Sequence, residues 1–300
     1  MKYRIQLILL ILLACDFNDE RKPDDNEKLI YRIPVVFHVI HHGEAIGVGA
    51  NLSTLQIESQ IRVLNEDFGR KAGTRGFNTH PDGADAAIEF ELATIDPDGN
   101  PSSGIVRINA DSLVNPVDPS FQFDYYAWYS YWDYENYLNI WTQPLPADLT
   151  DIVLGKATGP ATDLPGAQYL LKGEPLQAEG ILVNAVHVGE SNMNSEFNLG
   201  RTITHEVGHY LGLLHTWGSD ANDDYCDDTP PVNSPVFACP DPPPLALDGR
   251  PVMVGNYMNY TYDRCMNIFT KEQVARMRYV LENNRQALIQ LTNLRYVGIN

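Results

Sequence analysis

Three hundred residues carry 39 acidic against 21 basic side chains, a formal net charge of −18, with 44% apolar and 20% charged residues. That balance suits a globular chain with an ample core, built as one large domain or two subdomains. The acidic excess repels nucleic acid and anionic membrane, so neither is expected as a partner; it suits a soluble or surface-displayed protein that can bind cations.

The chain opens on Lys2 and Arg4, and Ile5 to Leu13 is a mostly apolar run too short to span a bilayer. It ends Leu12-Leu13-Ala14-Cys15, which resembles a bacterial lipobox, whose cysteine becomes the lipidated first residue of the mature protein. Residues 1–15 are therefore expected to be a lipoprotein signal with Cys15 lipidated, and the polar stretch 16–28 a flexible tether. The protein would then be exported and lipid-anchored to the bacterial outer membrane, at the cell surface if the acidic residues after Cys15 act as an export tag; plain secretion is the alternative. Membrane contact is expected only through the acyl chains, which contribute about 0.8 kcal/mol per buried CH₂.

Leu29 to Ile40 is rich in β-branched and aromatic residues and predicts a buried strand. Ser53 predicts a helix cap, and Leu55, Ile57, Ile61, Leu64 and Phe68 give helical spacing up to Gly69. Ile88 to Ile95 predicts a second strand, stopped by Asp-Pro-Asp-Gly-Asn-Pro, and Gly104 to Ile108 a third. Residues 121–141 hold nine Tyr and Trp side chains. They predict a helix packing aromatics on a sheet, followed by the strand Leu138-Asn-Ile-Trp141; a sugar-binding platform is the rival reading. Residues 144–180 are rich in Pro and Gly and predict loops. Within them Ala167 to Leu171 predicts a short edge strand, along which an extended peptide could add by backbone hydrogen bonds. Ile181 to Val188 predicts the next strand. His38, His41, His42, His80 and His187 are read as surface or core residues.

The stretch 204–216 carries the chemistry, with the skeleton His205-Glu206-x-x-His209-x-x-Gly212-x-x-His215. On a helix His205 and His209 lie roughly 40° apart on one face and one turn apart in height, so both imidazoles can hold one Zn²⁺. Glu206 sits beside that face as a base for water. Continued helix would carry His215 about 15 Å away, but Gly212 can take positive φ, end the helix and return the chain. Three neutral imidazoles with one open position are the pattern of a catalytic zinc site. Beyond them Asp220, Asp223, Asp224, Asp227 and Asp228 crowd together, either solvated or neutralised by a hard cation; the spacing is not that of an EF-hand. Apart from Cys15, Cys226, Cys239 and Cys265 imply one bridge and one free thiol, or a partner outside the chain. Lys271 to about Leu291 predicts one amphipathic helix, with Val274, Met277, Val280 and Leu281 on one face.

The zinc skeleton resembles the metzincin peptidase signature, and Asn256-Tyr257-Met258-Asn259-Tyr260 resembles its methionine turn. Asp227-Asp228-Thr229-Pro230, Cys265-Met-Asn-Ile-Phe-Thr270 and Gln273-x-x-Arg276-Met277 resemble the pappalysin branch, as do Ile33-Pro34-Val35-Val36 and Gln60-Ile61-x-x-Leu64-Asn65-x-Asp67-Phe68. The resemblance implies an α+β fold: a mixed, mainly parallel sheet with an antiparallel edge strand, backing and active-site helices, an N-terminal subdomain over residues 29–215 and a smaller C-terminal one over 216–300. It implies a monomeric zinc endopeptidase acting on protein or peptide, with Met258 as a hydrophobic floor and Tyr260 donating to the oxyanion. It also implies a Cys239–Cys265 disulfide, a small buried thiol at Cys226, and structural calcium on Asp224, Asp228 and Thr229. Relatives that cleave before basic residues have an acid where this chain has Arg264; an Arg264 facing the pocket would favour acidic or neutral side chains. The alternative function is a non-catalytic surface lipoprotein that binds host or matrix proteins on the same scaffold.

Overall fold

A computed structural model of the chain describes residues 29–112, 130–144, 154–172, 178–191, 195–218 and 224–299. Cys15, the tether, residues 121–129 of the aromatic run, and Asp220 and Asp223 lie outside them.

The first strand, β1 (Tyr31–His41), is the centre of the sheet. Its side chains alternate faces, as a pleated strand requires. Ile33, Val35, Phe37 and Val39 enter the main core, and Val36 enters a smaller cluster on the other face. Helix α1 (Thr54–Phe68) follows, capped by Ser53, whose Oγ accepts from the Gln56 N–H at 3.1 Å. The strands β2 (Ile88–Leu92) and β3 (Ile105–Asn109) both lie parallel to β1, β2 beside its first half and β3 beside its second. β4 (Leu138–Gln143) takes the other edge of β1 and β6 (Gly180–Asn184) extends the sheet, both parallel. Trp132 and Tyr137, ahead of β4, are buried with Val36, Ala93 and the C-terminal Leu294, Val297 and Ile299, so aromatics of this run do pack on the sheet; most of the helix expected before them lies outside the described residues.

The sheet closes with β5 (Gly155–Ala157), antiparallel to β6. An antiparallel edge was expected at residues 167–171; that segment is instead a 3₁₀ turn over Ala167–Tyr169. The reason is Gly166, at φ 83°, which breaks the extended run and lies against Leu214 and Tyr225. The strand expected through Val188 ends at Asn184, whose side chain accepts from Val186 N–H and turns the chain into Ala185–His187.

The active-site helix α2 (Arg201–Tyr210) lies under the sheet. β7 (Phe237–Ala238) and β8 (Tyr260–Thr261) form a small parallel pair below it. The helix expected to run to Leu291 is three: α3 (Lys271–Asn283), α4 (Gln286–Ile289) and α5 (Leu291–Tyr296). α3 breaks where Arg285 leaves helical geometry, donates through Nε to the Tyr210 carbonyl at 3.1 Å and lays its guanidinium 3.6 Å from the Tyr210 ring. Val274, Met277 and Leu281 of α3 join the same core as Phe37 and Ile203. One core thus runs through both sides of position 215/216.

Candidate active site

The elements meet in a cleft of about 950 Å³. Its roof is β5, its floor α2, and its lower wall the segment from Asn259 to Asp263. Leu154 and Thr158 direct their backbone bonds to β6 through Asn184 N–H and the Gly180 carbonyl. By the alternation of an antiparallel pair, Gly155 and Ala157 point theirs outward to the cleft. Gly155 also lies against Glu206: a Cβ there would stand 3.0 Å from its Cγ.

His205, His209 and His215 converge, each Nε2 lying 3.1–3.2 Å from the others. Gly212 takes φ 88° and brings His215 back, as the spacing requires. Its turn is held from α3, where Arg276 Nε donates to the Gly212 carbonyl at 2.6 Å. His205 Nδ1 donates to the Tyr257 carbonyl at 2.7 Å and His209 Nδ1 to that of Leu213 at 2.8 Å. Those carbonyls put the proton on Nδ1 and leave the Nε2 lone pair for a cation. Burial lowers all three rings, His205 to about 3 and His209 to about 4, while His215 lies lower still, with repulsion from its neighbours added. They are neutral, the form a metal requires. A tetrahedral ion bound at about 2.0–2.1 Å would set its nitrogens roughly 3.3–3.4 Å apart, so the trio fits Zn²⁺. Among the described residues it is the one such group of three or more His, Cys, Asp or Glu ligand atoms.

Glu206 follows His205 on the floor, and burial raises its carboxyl to about 8; a divalent cation beside it pulls the other way. Met258 is fully buried directly beneath α2, where a Cβ at Gly208 would collide with its Sδ. The turn that holds it is built by Asn256, whose Oδ1 accepts from Met258 N–H and whose Nδ2 donates to Gln273. Tyr260 stands over the metal side, its ring 5.8 Å from that of His205 and 5.0 Å from that of His215. Burial, and then Glu206, keep its phenol protonated.

The remaining expected residues lie outside the cleft. Arg264 pairs with Glu196 and stacks over Tyr262, so it does not line the pocket; Asp263 does. The Asp263 carboxyl accepts from the N–H groups of Leu199 and Arg201 at the start of α2; burial raises it to about 6, and those two bonds offset part of that rise. Cys239 joins Cys265 in a disulfide with Cα atoms 6.0 Å apart, tying the ends of β7 and the methionine turn. Cys226 is free and buried. Asp224 accepts from Thr229 Oγ at 2.6 Å and from Cys226 N–H, while Asp228 accepts from Glu272 N–H at 2.9 Å. These three residues form a loop docked on α3.

Sequence reading missed two groups. Asp67 of α1 accepts from Arg201 at 3.1 Å and Thr204 Oγ at 2.8 Å, all three buried. Trp217 stacks on His215 with ring centroids 4.1 Å apart and planes at 11°. The Asp67 contacts span more than a hundred residues, which periodicity cannot see. Proximity to His215 was the one available signal for Trp217.

Comparison with known proteins points the same way. The Peptidase M43 family model, described as pregnancy-associated plasma protein-A, matches residues 124–282. Extracellular metalloprotease 1 of Coccidioides posadasii is 29% identical over 249 residues, covering 82% of this chain and 75% of its own. An extracellular metalloprotease of Arthroderma benhamiae is 30% identical over 259 residues, covering 84% and 73%. Among solved structures, mature mirolysin of Tannerella forsythia in complex with a cleaved peptide superimposes with a TM-score of 0.74 at 33% identity, covering 90% of this chain and 99% of that one.

Proposed function

This chain belongs to the pappalysin family of metzincins, Peptidase M43, whose members are zinc metalloendopeptidases, and from that premise we propose that Glu206 and Tyr260 carry out peptide hydrolysis at the His205–His209–His215 site, outside the cytoplasm. The carrying observation is the convergence of three Nε2 lone pairs 3.1–3.2 Å apart, beside a buried carboxyl and under β5, the last strand of the sheet among the described residues.

Bound zinc polarises the scissile carbonyl and acidifies water at the site. The chain's own residues do the rest. Gly155 and Ala157 pair with an extended peptide and set the scissile bond over α2. Glu206 takes the proton of the attacking water and returns it to the leaving amine. The Tyr260 O–H donates to the developing oxyanion. Met258 keeps the floor apolar. With Arg264 turned to Glu196, that side of the cleft is lined by Phe197, Tyr262 and Met266 together with the Asp263 carboxyl.

The test is digestion of a diverse peptide library by wild type, chelator-treated protein and Glu206→Ala. Wild type alone should cleave; equal digestion by Glu206→Ala would sink the mechanism. Export rests on residues 1–15 and on relatives named extracellular. We place the protein on the outer membrane through Cys15, and an unmodified N-terminal peptide by mass spectrometry would reject the anchor. Calcium at Asp224, Asp228 and Thr229 has one support, the buried Asp228 Oδ1 without a partner among the described residues; an unchanged melting temperature on adding Ca²⁺ would remove it.

A further inference from the structure

His205 and His209 are each oriented by a carbonyl on Nδ1. His215 has no such partner for Nδ1 among the described residues, yet its Nε2 meets the other two at 3.1–3.2 Å. Among the described residues, what fixes the plane of this ring is therefore packing. Trp217 supplies that constraint: its indole lies nearly coplanar over His215, centroids 4.1 Å apart and planes at 11°. Tyr260 closes the corner edge-on, 5.0 Å from His215 at 74° and 4.4 Å from Trp217 at 66°.

Trp217 is itself anchored. Its backbone bridges to Val232, and Gly218 N–H donates to the Val232 carbonyl at 3.1 Å. Its side chain packs on the cluster of Val232, Ala246 and Val252. The loop after the metal ligand therefore presents a fixed aromatic plane to a ligand imidazole. Hydrogen-bonded partners beyond the ligands hold their orientation, and removing one typically weakens metal binding about 10–100-fold; a stacked ring of defined geometry constrains the same plane.

We propose that Trp217 is a positioning residue for the zinc site, doing by stacking on His215 what backbone carbonyls do for His205 and His209. The inference rests on the reading of the three histidines as zinc ligands. Its contact with Tyr260 lets the same indole set the plane of the phenol above the metal.

Two variants of the full chain separate stacking from bulk. Trp217→Phe keeps a ring over His215, whereas Trp217→Leu keeps apolar volume against Val232, Ala246 and Val252 without a ring. Zinc release to a competing chelator is measured, with the visible absorption of the Co²⁺-substituted proteins as a report on ligand geometry. The Leu variant should bind zinc about 10–100-fold more weakly and show an altered cobalt spectrum. The Phe variant should hold zinc like wild type and keep the spectrum, and the metal-stripped proteins should melt alike. A Leu variant as tight as wild type, or Leu and Phe variants equally weakened, overturns the proposal. So does a loss of zinc matched by a fall in melting temperature of the stripped protein, which assigns Trp217 to packing alone. Wild-type protein lacking stoichiometric zinc overturns the three-histidine reading, and this one with it.

Discussion

Tyr260 differs from phenylalanine by one oxygen, and its proposed contribution hangs on that atom. Its ring already packs against His205, His215 and Trp217, so Tyr260→Phe removes the donor and leaves the packing. We expect kcat to fall about 100-fold, about 2.7 kcal/mol of oxyanion stabilisation, with KM and zinc content unchanged. Steady-state kinetics beside metal analysis checks this, and parallel loss of zinc would assign the residue to the scaffold. His38 makes a second residue-scale prediction. It is fully buried, its Nε2 donating to Asn139 Oδ1 at 2.9 Å and its Nδ1 accepting from Ser130 Oγ at 2.7 Å. Burial lowers it from 6.5 to about 4. The folded state thus resists protonation that the unfolded chain accepts. Stability is full above pH 6.5 and is lost as pH falls through about 4, by roughly 3 kcal/mol from this group. Urea unfolding of wild type and His38→Gln should show a shallower acid loss in the variant. The converging histidines, Glu206 and Gly212 were legible in the sequence because they lie within eleven residues whose geometry a helix and one turn dictate. Asp67 and Trp217 were not, because their roles depend on partners brought together by folding.

At the scale of elements, the decisive feature is how α2 stops. Gly212 at φ 88° sends the chain back to His215, and a Cβ there would meet Val280 Cγ2 at 2.8 Å. Gly212→Ala combines a left-handed alanine, at roughly 1–2 kcal/mol, with a steric conflict at α3. We expect the stripped protein to lose about 2–3 kcal/mol and zinc to bind more weakly, since His215 rides on that turn. Denaturant titration with and without zinc separates the two effects; an unchanged zinc affinity would show that His215 is placed from elsewhere. Helix α1 was legible from its apolar spacing, β1 from its run of β-branched and aromatic residues, β2 from its partial alternation and β4 from the Leu138-Asn-Ile-Trp141 run. The edge strand was misplaced because a three-residue strand, Gly155–Ala157, carries no period. A longer apolar stretch nearby drew the assignment, while Gly166 had already turned it into a helical bend. The C-terminal helix was overextended for a similar reason. Its apolar spacing continues past Asn283, and the break depends on Arg285 reaching Tyr210, a contact made only after folding.

For the whole molecule the question is how distant segments agree on one cleft. A buried charged network answers it. Asp67, at the end of α1, accepts from Arg201 and Thr204 of α2, and Asp263, after the methionine turn, accepts from the N–H groups of Leu199 and Arg201. The Arg201 and Asp67 side chains are 1% and 0% exposed, so this pair has little solvent to fall back on. A buried ion pair adds little net stability over apolar residues of similar volume, but removing one partner strands the other charge at about 3–5 kcal/mol. Asp67→Leu and Arg201→Met should each destabilise the metal-stripped protein by that amount, and the double variant by much less than their sum. Urea unfolding in a double-mutant cycle measures the coupling, and additive losses would mean that the two charges do not depend on each other. If the pair serves registration more than stability, the double variant should fold yet cleave more slowly at unchanged zinc content. α2 would then lie against α1 without the bidirectional constraint that fixes Glu206 under Gly155. That outcome would place the demand for a charged pair in the alignment of base, metal and strand edge, which no apolar substitute specifies.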